Sequence, residues 1–304
     1  MKPLPTLRQL GYLVAVVDQC HFGRAAEACA VTQSTLSAGI RELEEVLGAP
    51  LLERTKRTVV PTPLGRDMAR RARELLQGAE DMVDTAHAAT DPMAGPLRLG
   101  VIPTIGPFVL PKAMPRLRKA FPRLQLFLRE EQTAPLLAKL RDGELDVALL
   151  ALPYATGDGI ETLELAEDPF SVVYPPGHPV PGKEVKPGDI EFENLLLLED
   201  GHCLRDQALE VCSSTGAQEK QDFRATSLET LRQMVASGAG VTLLPELASR
   251  GAYGTARGVA IVPFAKPQPV RHVGIVWRKS SARGRAVEAV GREIAEAAHK
   301  TLRG

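Results

Sequence analysis

Four consecutive leucines, Leu195–Leu198, end in Glu199-Asp200-Gly201 and are followed by His202, Cys203 and a short helical pattern that closes on Cys212. A strand that is apolar at every position needs cover on both faces. A helix entered directly after it supplies one cover, so this stretch calls for an α/β layer architecture. The same local geometry constrains the two sulfurs. Cys203 stands between His202 and Arg205, near the start of the helix, and each of these features favours a thiolate over a thiol. Cys212 lies nine positions on. On a helix that is about 13 Å along the axis and roughly half a turn around it. A disulfide needs Cα atoms within about 7 Å of each other. If the segment is helical, the sulfurs meet only after it unwinds, and oxidation becomes coupled to a change of shape. Two inert core cysteines are the plain alternative, against which His202 and Arg205 argue.

The 304 residues, 44% of them hydrophobic and 24% charged, suffice for two or three domains. With 37 basic and 37 acidic side chains the net charge is zero, so overall charge gives no argument for nucleic acid. Its distribution does. From Arg54 to Arg73 the bases Arg54, Lys56, Arg57, Arg66, Arg70, Arg71 and Arg73 meet one acid, Asp67. Such a stripe can bind phosphates on a neutral protein, or be only a solvated helix face. No secretory signal pattern precedes the first helical pattern, and no apolar run reaches membrane length, so a cytoplasmic protein is expected. A disulfide there would be transient. The remaining cysteines, Cys20 and Cys29, fall on apolar helical positions and read as packing residues. The sequence offers no metal cluster, phosphate loop or Ser/His/Asp set; no cofactor or metal is expected, and His87, His178, His272 and His299 receive no role.

Thr6-Leu7-Arg8-Gln9 is a capping-box start, and Leu7, Leu10, Leu13, Val14 and Val17 follow helical spacing. His21-Phe22-Gly23-Arg24 breaks that helix, and a short second one carries Ala25, Ala26 and Cys29. Thr32 is a suitable N-cap for a third, Gln33 to Leu47, with Leu36, Ile40, Leu43 and Leu47 as its inner stripe and Gly48 as its C-cap. Gln33, Ser37 and Arg41 recur on another face, where such side chains reach base edges and phosphates in a major groove. Leu51 to Val60 alternates partly and carries three bases, as a β-wing does. Together these predict a winged helix-turn-helix over residues 1–61, against a generic three-helix bundle.

Thr62 and Pro63 open a long helix on which Met68, Ala72, Leu75, Ala79, Met82 and Ala86 recur at four and three. A second copy of the chain is the economical partner for that seam. This linker and dimerisation helix is expected over 62–91, ending at Asp91-Pro92-Met93-Ala94-Gly95-Pro96. Residues 92–304 then alternate apolar strands with helices, which predicts a mainly parallel α/β regulatory domain. Leu97–Ile102, Leu124–Leu128 and Leu145–Leu150 are its first strands; the alternation resumes after Asp168-Pro169, and His272–Trp277 and a final helix close it. The simplest packing is two α/β subdomains, one about 97–166 with 269–304 and the other about 167–268. Ligands in such sheets sit at strand carboxyl ends, where Thr104, Thr133, His202 and Cys203 fall.

Throughout its length the chain resembles the LysR-type transcriptional regulators. Gln33-Ser34-Thr35-Leu36-Ser37 with Ile40 and Leu43-Glu44 carries the likeness, as does Met234-Val235-Ala236-Ser237-Gly238-Ala239-Gly240-Val241-Thr242-Leu243-Leu244-Pro245. Gly201-His202-Cys203-Leu204-Arg205-Asp206-Gln207-Ala208 with Cys212 looks like the peroxide-sensing members in particular. Ile102-Pro103-Thr104-Ile105-Gly106-Pro107 and Phe223 to Leu231 agree. The resemblance implies a periplasmic-binding-protein-like regulatory domain. It implies that Cys203 reacts with peroxide and Cys212 resolves, and that Thr104, Thr133, His202 and Asp206 organise peroxide or a water. Arg271 matches a basic residue held to lower the sulfur's pKa. DNA contacts would fall on Gln33, Ser34, Thr35, Ser37 and Arg41, with Arg54 in the wing. The family acts as a homotetramer, a dimer of dimers, on double-stranded promoter DNA, with RNA polymerase as a further partner.

The mechanism expected is attack by the Cys203 thiolate on hydrogen peroxide, giving sulfenic acid, then condensation with Cys212 to a disulfide. Refolding of 203–212 would repack the regulatory domains and change which promoter half-sites are engaged. Cellular dithiol reductants would reset it. Two alternatives stand beside this: a regulator answering a small metabolite with incidental cysteines, and a thiol peroxidase bearing a DNA-binding domain.

Overall fold

The computed structural model describes residues 3–54, 59–88, 93–186, 195–212, 219–249 and 258–303. The chain forms two compact units, Met1–Thr90 and Asp91–Gly304.

In the first unit α1 spans Leu7–Gln19 and starts with the expected reciprocal capping of Thr6 and Gln9. Its inner face is Leu10, Tyr12, Leu13 and Val16, rotated from the stripe read in the sequence. Leu7 is exposed, because a side chain on the first helical residue leans back past the helix end. After α2 (Phe22–Ala28), α3 (Gln33–Leu47) buries Leu36, Ile40 and Leu43 and ends on left-handed Gly48. Leu47 is partly exposed; the chain turns at Gly48, and fully buried Leu51 occupies the core instead. At Gly39 the ring of Tyr12 lies 2.7 Å from where a Cβ would stand, so only glycine allows α1 and α3 this close. Strands β1 (Leu52–Arg54) and β2 (Val59–Pro61) pair antiparallel as the wing. Glu44 Oε1 accepts from Leu51 N and Leu52 N at 2.8 and 3.2 Å and ties the wing to α3. The Arg54 side chain, Lys56 and Arg57 lie outside the described residues.

Helix α4 (Pro63–Ala88) begins with Thr62 Oγ1 accepting from Gly65 N at 2.9 Å. The expected seam divides. Ala72 is buried and Met68 packs against the core of this unit, whereas Leu75 and Met82 are exposed. The basic stripe is less free than its composition suggests. Arg70 and Arg71 bond Asp67, Arg70 also bonds Glu74, and Arg73 pairs with Asp18. Cys20 is not a packing residue: it is exposed, in the left-handed C-cap of α1 (φ 47°), and Cys29 is half-buried at the end of α2.

The second unit runs β3 (Gly95–Val101), α5 (Gly106–Ala120), β4 (Leu124–Glu130), α6 (Thr133–Arg141), β5 (Val147–Leu152) and β6 (Ile160–Tyr174). It continues through β7 (Leu195–Leu198), α7 (Cys203–Cys212), β8 (Glu219–Ala225), α8 (Leu228–Ala236), β9 (Thr242–Pro245) and α9 (Glu246–Ser249). Strand β10 (Ala260–Pro263), β11 (Val270–Arg278) and α10 (Gly284–Arg303) complete it. The main sheet has the order β10-β6-β11-β5-β3-β4, with β9 also on β6. Strands β4, β3 and β5 are parallel. The expectation of a mainly parallel sheet fails at the centre, where β11 runs antiparallel to both β5 and β6. The reason is topological. The chain leaves on β6 in one uninterrupted pass through Asp168-Pro169 and returns on β11, and two such passes side by side must oppose each other. The first part of β6 pairs with β11 and its last part with β9 and β10. Strands β7 and β8 form a separate parallel pair. One continuous apolar core includes Leu195–Leu198, Cys203 and Cys212.

Candidate functional site

The β3 and β4 ladder is parallel and in register to Val101 opposite Glu130, and Glu131 N donates to Val101 O at 3.2 Å. The loops that follow these two strands therefore leave the sheet at the same edge. The first carries Thr104 and the second Gln132 and Thr133. Both threonines are almost fully buried, at 2% and 1% exposure, unusual for hydroxyl residues unless they have work or partners. Thr133 opens α6, and its Oγ1 is buried without a hydrogen-bond partner. A buried polar atom without a partner costs about 1–3 kcal/mol, so an absent guest is the natural account of it.

The turn between β7 and α7 meets this edge. Gly201 has φ 94°, and a Cβ there would stand 2.6 Å from Gln132 Oε1. Glycine is required twice over, for the left-handed backbone and for the close approach. That contact brings the segment before Thr133 against the one before Cys203. Cys203 is the first residue of α7 and Cys212 its last, both reduced and both buried. An intact ten-residue helix keeps their Cα atoms about 13 Å apart along its axis. The helix expected from the sequence is present, and with it the requirement that α7 unwind before the sulfurs join.

The electrostatics differ from expectation. His202 is buried, and burial lowers its pKa against the opposing pull of Glu199, whose Oε1 is 3.9 Å from Nε2; the imidazole is therefore neutral near pH 7. Arg205 is buried but directs Nε to Asp200 Oδ1 at 2.9 Å, while Arg224 Nη1 takes Asp200 Oδ2 at 2.7 Å. Its charge is thus shared with a carboxylate. Asp206 is exposed and, among the described residues, has no hydrogen bond or ion pair. It follows Cys203 by three residues, but Cys203 is buried against the core and Asp206 faces water. The assignment of Asp206 to peroxide or water beside the thiol does not fit this geometry. Burial pushes the Cys212 thiol up to about 11.

Arg271 reaches the site through other residues. Its Nη1 donates to Thr104 Oγ1 at 3.0 Å and its Nη2 to Thr104 O at 2.9 Å. Its Nε and Nη2 lie 2.9 and 2.8 Å from Asp168 Oδ2. Asp168 Oδ1 accepts from Leu247 N at 2.9 Å. Burial raises the Asp168 carboxyl, while Arg271 and the Leu247 N–H pull it back. A fully buried pair of this kind stands only because every lone pair and N–H is used. Arg271 holds Thr104 in place, which corrects the expectation that it acts on the sulfur itself. Asp168 was missed in the sequence. Arg271 and Asp168 are cross-strand partners, and no linear spacing brings residues so far apart into register.

On α3, Gln33, Ser34, Thr35 and Arg41 are exposed and Ser37 is half-buried. Thr32 Oγ1 accepts from Thr35 N at 3.2 Å and lies 2.9 and 2.8 Å from the hydroxyls of Ser34 and Thr35. One capping threonine thus fixes a cluster of hydroxyls at the open end of the helix.

A three-helix unit with a wing, joined to an α/β unit with a buried polar recess, defines a ligand-responsive DNA-binding protein. The chain belongs to the LysR family: residues 7–66 match the family described as bacterial regulatory helix-turn-helix protein, lysR family, and residues 90–299 match the LysR substrate binding domain. Among its relatives, the hydrogen peroxide-inducible genes activator of Dickeya chrysanthemi is 46% identical over 281 residues, 92% of each chain. The DNA-binding transcriptional dual regulator OxyR of Escherichia coli (strain K12) is 46% identical over 276 residues, 90% of each. Among solved structures, a full-length OxyR cysteine-to-aspartate variant from Pseudomonas aeruginosa aligns with a TM-score of 0.78 at 38% identity, over 96% of this chain and 98% of that one. A hydrogen peroxide-bound OxyR cysteine-to-serine mutant from Corynebacterium glutamicum aligns with a TM-score of 0.64 at 34% identity, over 100% and 95%.

Proposed function

We propose that the chain is a transcription regulator that senses hydrogen peroxide through Cys203. The observation that carries this is α7 itself: two buried thiols at opposite ends of one short helix, with an unpartnered Thr133 hydroxyl on the loop that touches its entry turn. The names of its relatives support the same signal. The Cys203 thiolate attacks one peroxide oxygen; an S–O bond forms, the O–O bond breaks, and hydroxide leaves. Thr104 accepts a hydrogen bond from Arg271, so its own proton is free to be given to that leaving oxygen. The sulfenic acid then condenses with Cys212, releasing water. Because burial holds Cys212 as a thiol, α7 must open before Cys212 can attack. Opening would serve the chemistry and the signal together.

We divide the chain into a DNA-reading part, 1–61, a dimerising helix, 62–91, and a redox-sensing part, 92–304; the 89–92 junction lies outside the described residues. Gln33, Ser34, Thr35, Ser37 and Arg41 read promoter DNA, with Arg54 on the backbone. The assembly is a homotetramer, a dimer of dimers, working in the cytoplasm with RNA polymerase and reset by dithiol reductants. No helix of the described residues is long and apolar enough to cross a membrane. The chain is a sensor and not an enzyme, reacting once per signalling cycle. The test is mass spectrometry of the 203–212 peptide after a peroxide pulse, run beside a promoter footprint. A disulfide that appears together with a shifted footprint is expected; a shifted footprint with both thiols intact overturns the reading. Sustained turnover with a reductant would make it a peroxidase instead.

A further inference from the structure

Thr133 is not the only unsatisfied group near Cys203. Gln207, four residues on in α7, has its Oε1 buried without a hydrogen-bond partner. Residues four apart share one face of a helix. A long helical side chain leans toward the N-terminus and covers the turn before its own Cα. For Gln207 that turn begins with Cys203. The orphaned carbonyl oxygen therefore lies over the sulfur's side of α7. It is an acceptor with nothing to accept, while its exposed neighbour Asp206 is directed to water.

We propose that Gln207 is a peroxide-binding residue and sets the preference for hydrogen peroxide over alkyl hydroperoxides. The proposal rests on the sensing reaction above. Hydrogen peroxide carries a proton on each oxygen, and burying it leaves two donors in need of acceptors. In HO–OH the oxygen that departs bears hydrogen; in RO–OH it bears carbon. Gln207 Oε1 accepts the O–H of the departing oxygen and so orients the O–O bond along the line of attack. The electron pair of the Cys203 thiolate forms the S–O bond, the O–O bond breaks, and the departing HO⁻ takes a proton and leaves as water. With an alkyl hydroperoxide the same step expels RO⁻, and Gln207 stays unpaired against a carbon substituent. A site built to bond a hydroxyl rejects the analogue lacking it, because its own polar group is then stranded.

The experiment measures the rate of Cys203 oxidation in the full-length reduced protein by hydrogen peroxide and by tert-butyl hydroperoxide. It uses the natural chain, Gln207→Met and Gln207→Glu. In Gln207→Met, which keeps length without an acceptor, the hydrogen peroxide rate falls about tenfold, as for one lost hydrogen bond. The tert-butyl hydroperoxide rate stays within about twofold, so the ratio of the two drops. In Gln207→Glu the added charge slows both reactions, but the acceptor remains and the ratio is kept. A parallel fall of both rates in Gln207→Met, or a ratio that does not move, overturns the role of Gln207 while leaving the sensing reaction intact. A natural chain whose Cys203 reacts with hydrogen peroxide no faster than free cysteine overturns both.

Discussion

The chain carries two pairs of cysteines with the same spacing, Cys20 with Cys29 and Cys203 with Cys212, and each pair brackets one short helix. Their surroundings differ. Cys20 is exposed, its Sγ 3.4 Å from Val17 O, and Cys29 is half-buried beside an apolar core. Cys203 and Cys212 are both buried, and the helix between them is entered through a turn pressed on the loop that carries an unpartnered threonine. Exposure therefore does not mark the reactive pair. What marks it is buried polar groups without partners, prepared to receive a small polar guest.

The largest effect that would break this contrast lies at the sulfurs. Cys203→Ser should abolish the peroxide-dependent change of footprint, with DNA binding kept, whereas Cys20→Ser should leave the response as in the natural chain. Footprinting before and after peroxide checks both. A response that survives Cys203→Ser would move the sensor elsewhere.

Next in size is the support around the site. Thr104→Val removes the hydroxyl that takes Arg271 Nη1 and leaves that donor unpaired. If Thr104 supplies the proton, oxidation of Cys203 by peroxide should slow about 100-fold, measured by stopped flow. Arg271→Met acts on stability as well, because it strands fully buried Asp168; a loss of about 3–5 kcal/mol is expected from denaturant unfolding.

Much of this was legible in the chain. The caps at Thr6, Thr32 and Thr62 and the stop at Gly48 are local signals, and each element begins or ends where its cap lies. The β7–α7 unit is equally local, since an all-leucine strand followed by Gly201 permits little else. What was not legible depends on register. Asp168 faces Arg271 only because β6 passes uninterrupted through Asp168-Pro169 and pairs antiparallel with β11. Nothing near either residue signals the other. Asp206 was misjudged for a related reason: a motif names neighbours in sequence, while a helix turns them to different faces.

A smaller effect sharpens the contrast at Cys212. Its thiol is pushed up to about 11 from the ordinary 9.0 by burial. The folded chain therefore keeps its proton after the unfolded chain has lost it. The stability contributed is present below about pH 9 and falls as pH rises toward about 11. In a Cys203→Ser background, iodoacetamide should label exposed Cys20 well before Cys212 at pH 8. Labelling of Cys212 should quicken with mild denaturant, which opens α7. Equal labelling of the two in native buffer would mean α7 is open without oxidant, and the coupling between oxidation and unwinding would be lost.

The smallest expected change concerns the DNA-reading unit alone. Thr32→Ala removes the acceptor for Thr35 N and frees the hydroxyls of Ser34 and Thr35. A lost N-cap costs about 1 kcal/mol, which thermal unfolding should register as a modest downward shift. The same loss loosens the base-reading end of α3, so promoter affinity should fall in the reduced and the oxidised protein by the same factor. Reading and sensing would then be separable: the mutation weakens how the promoter is held and leaves untouched how peroxide changes the footprint. If Thr32→Ala altered the peroxide rate at Cys203, the two units would be coupled more closely than their separate cores suggest.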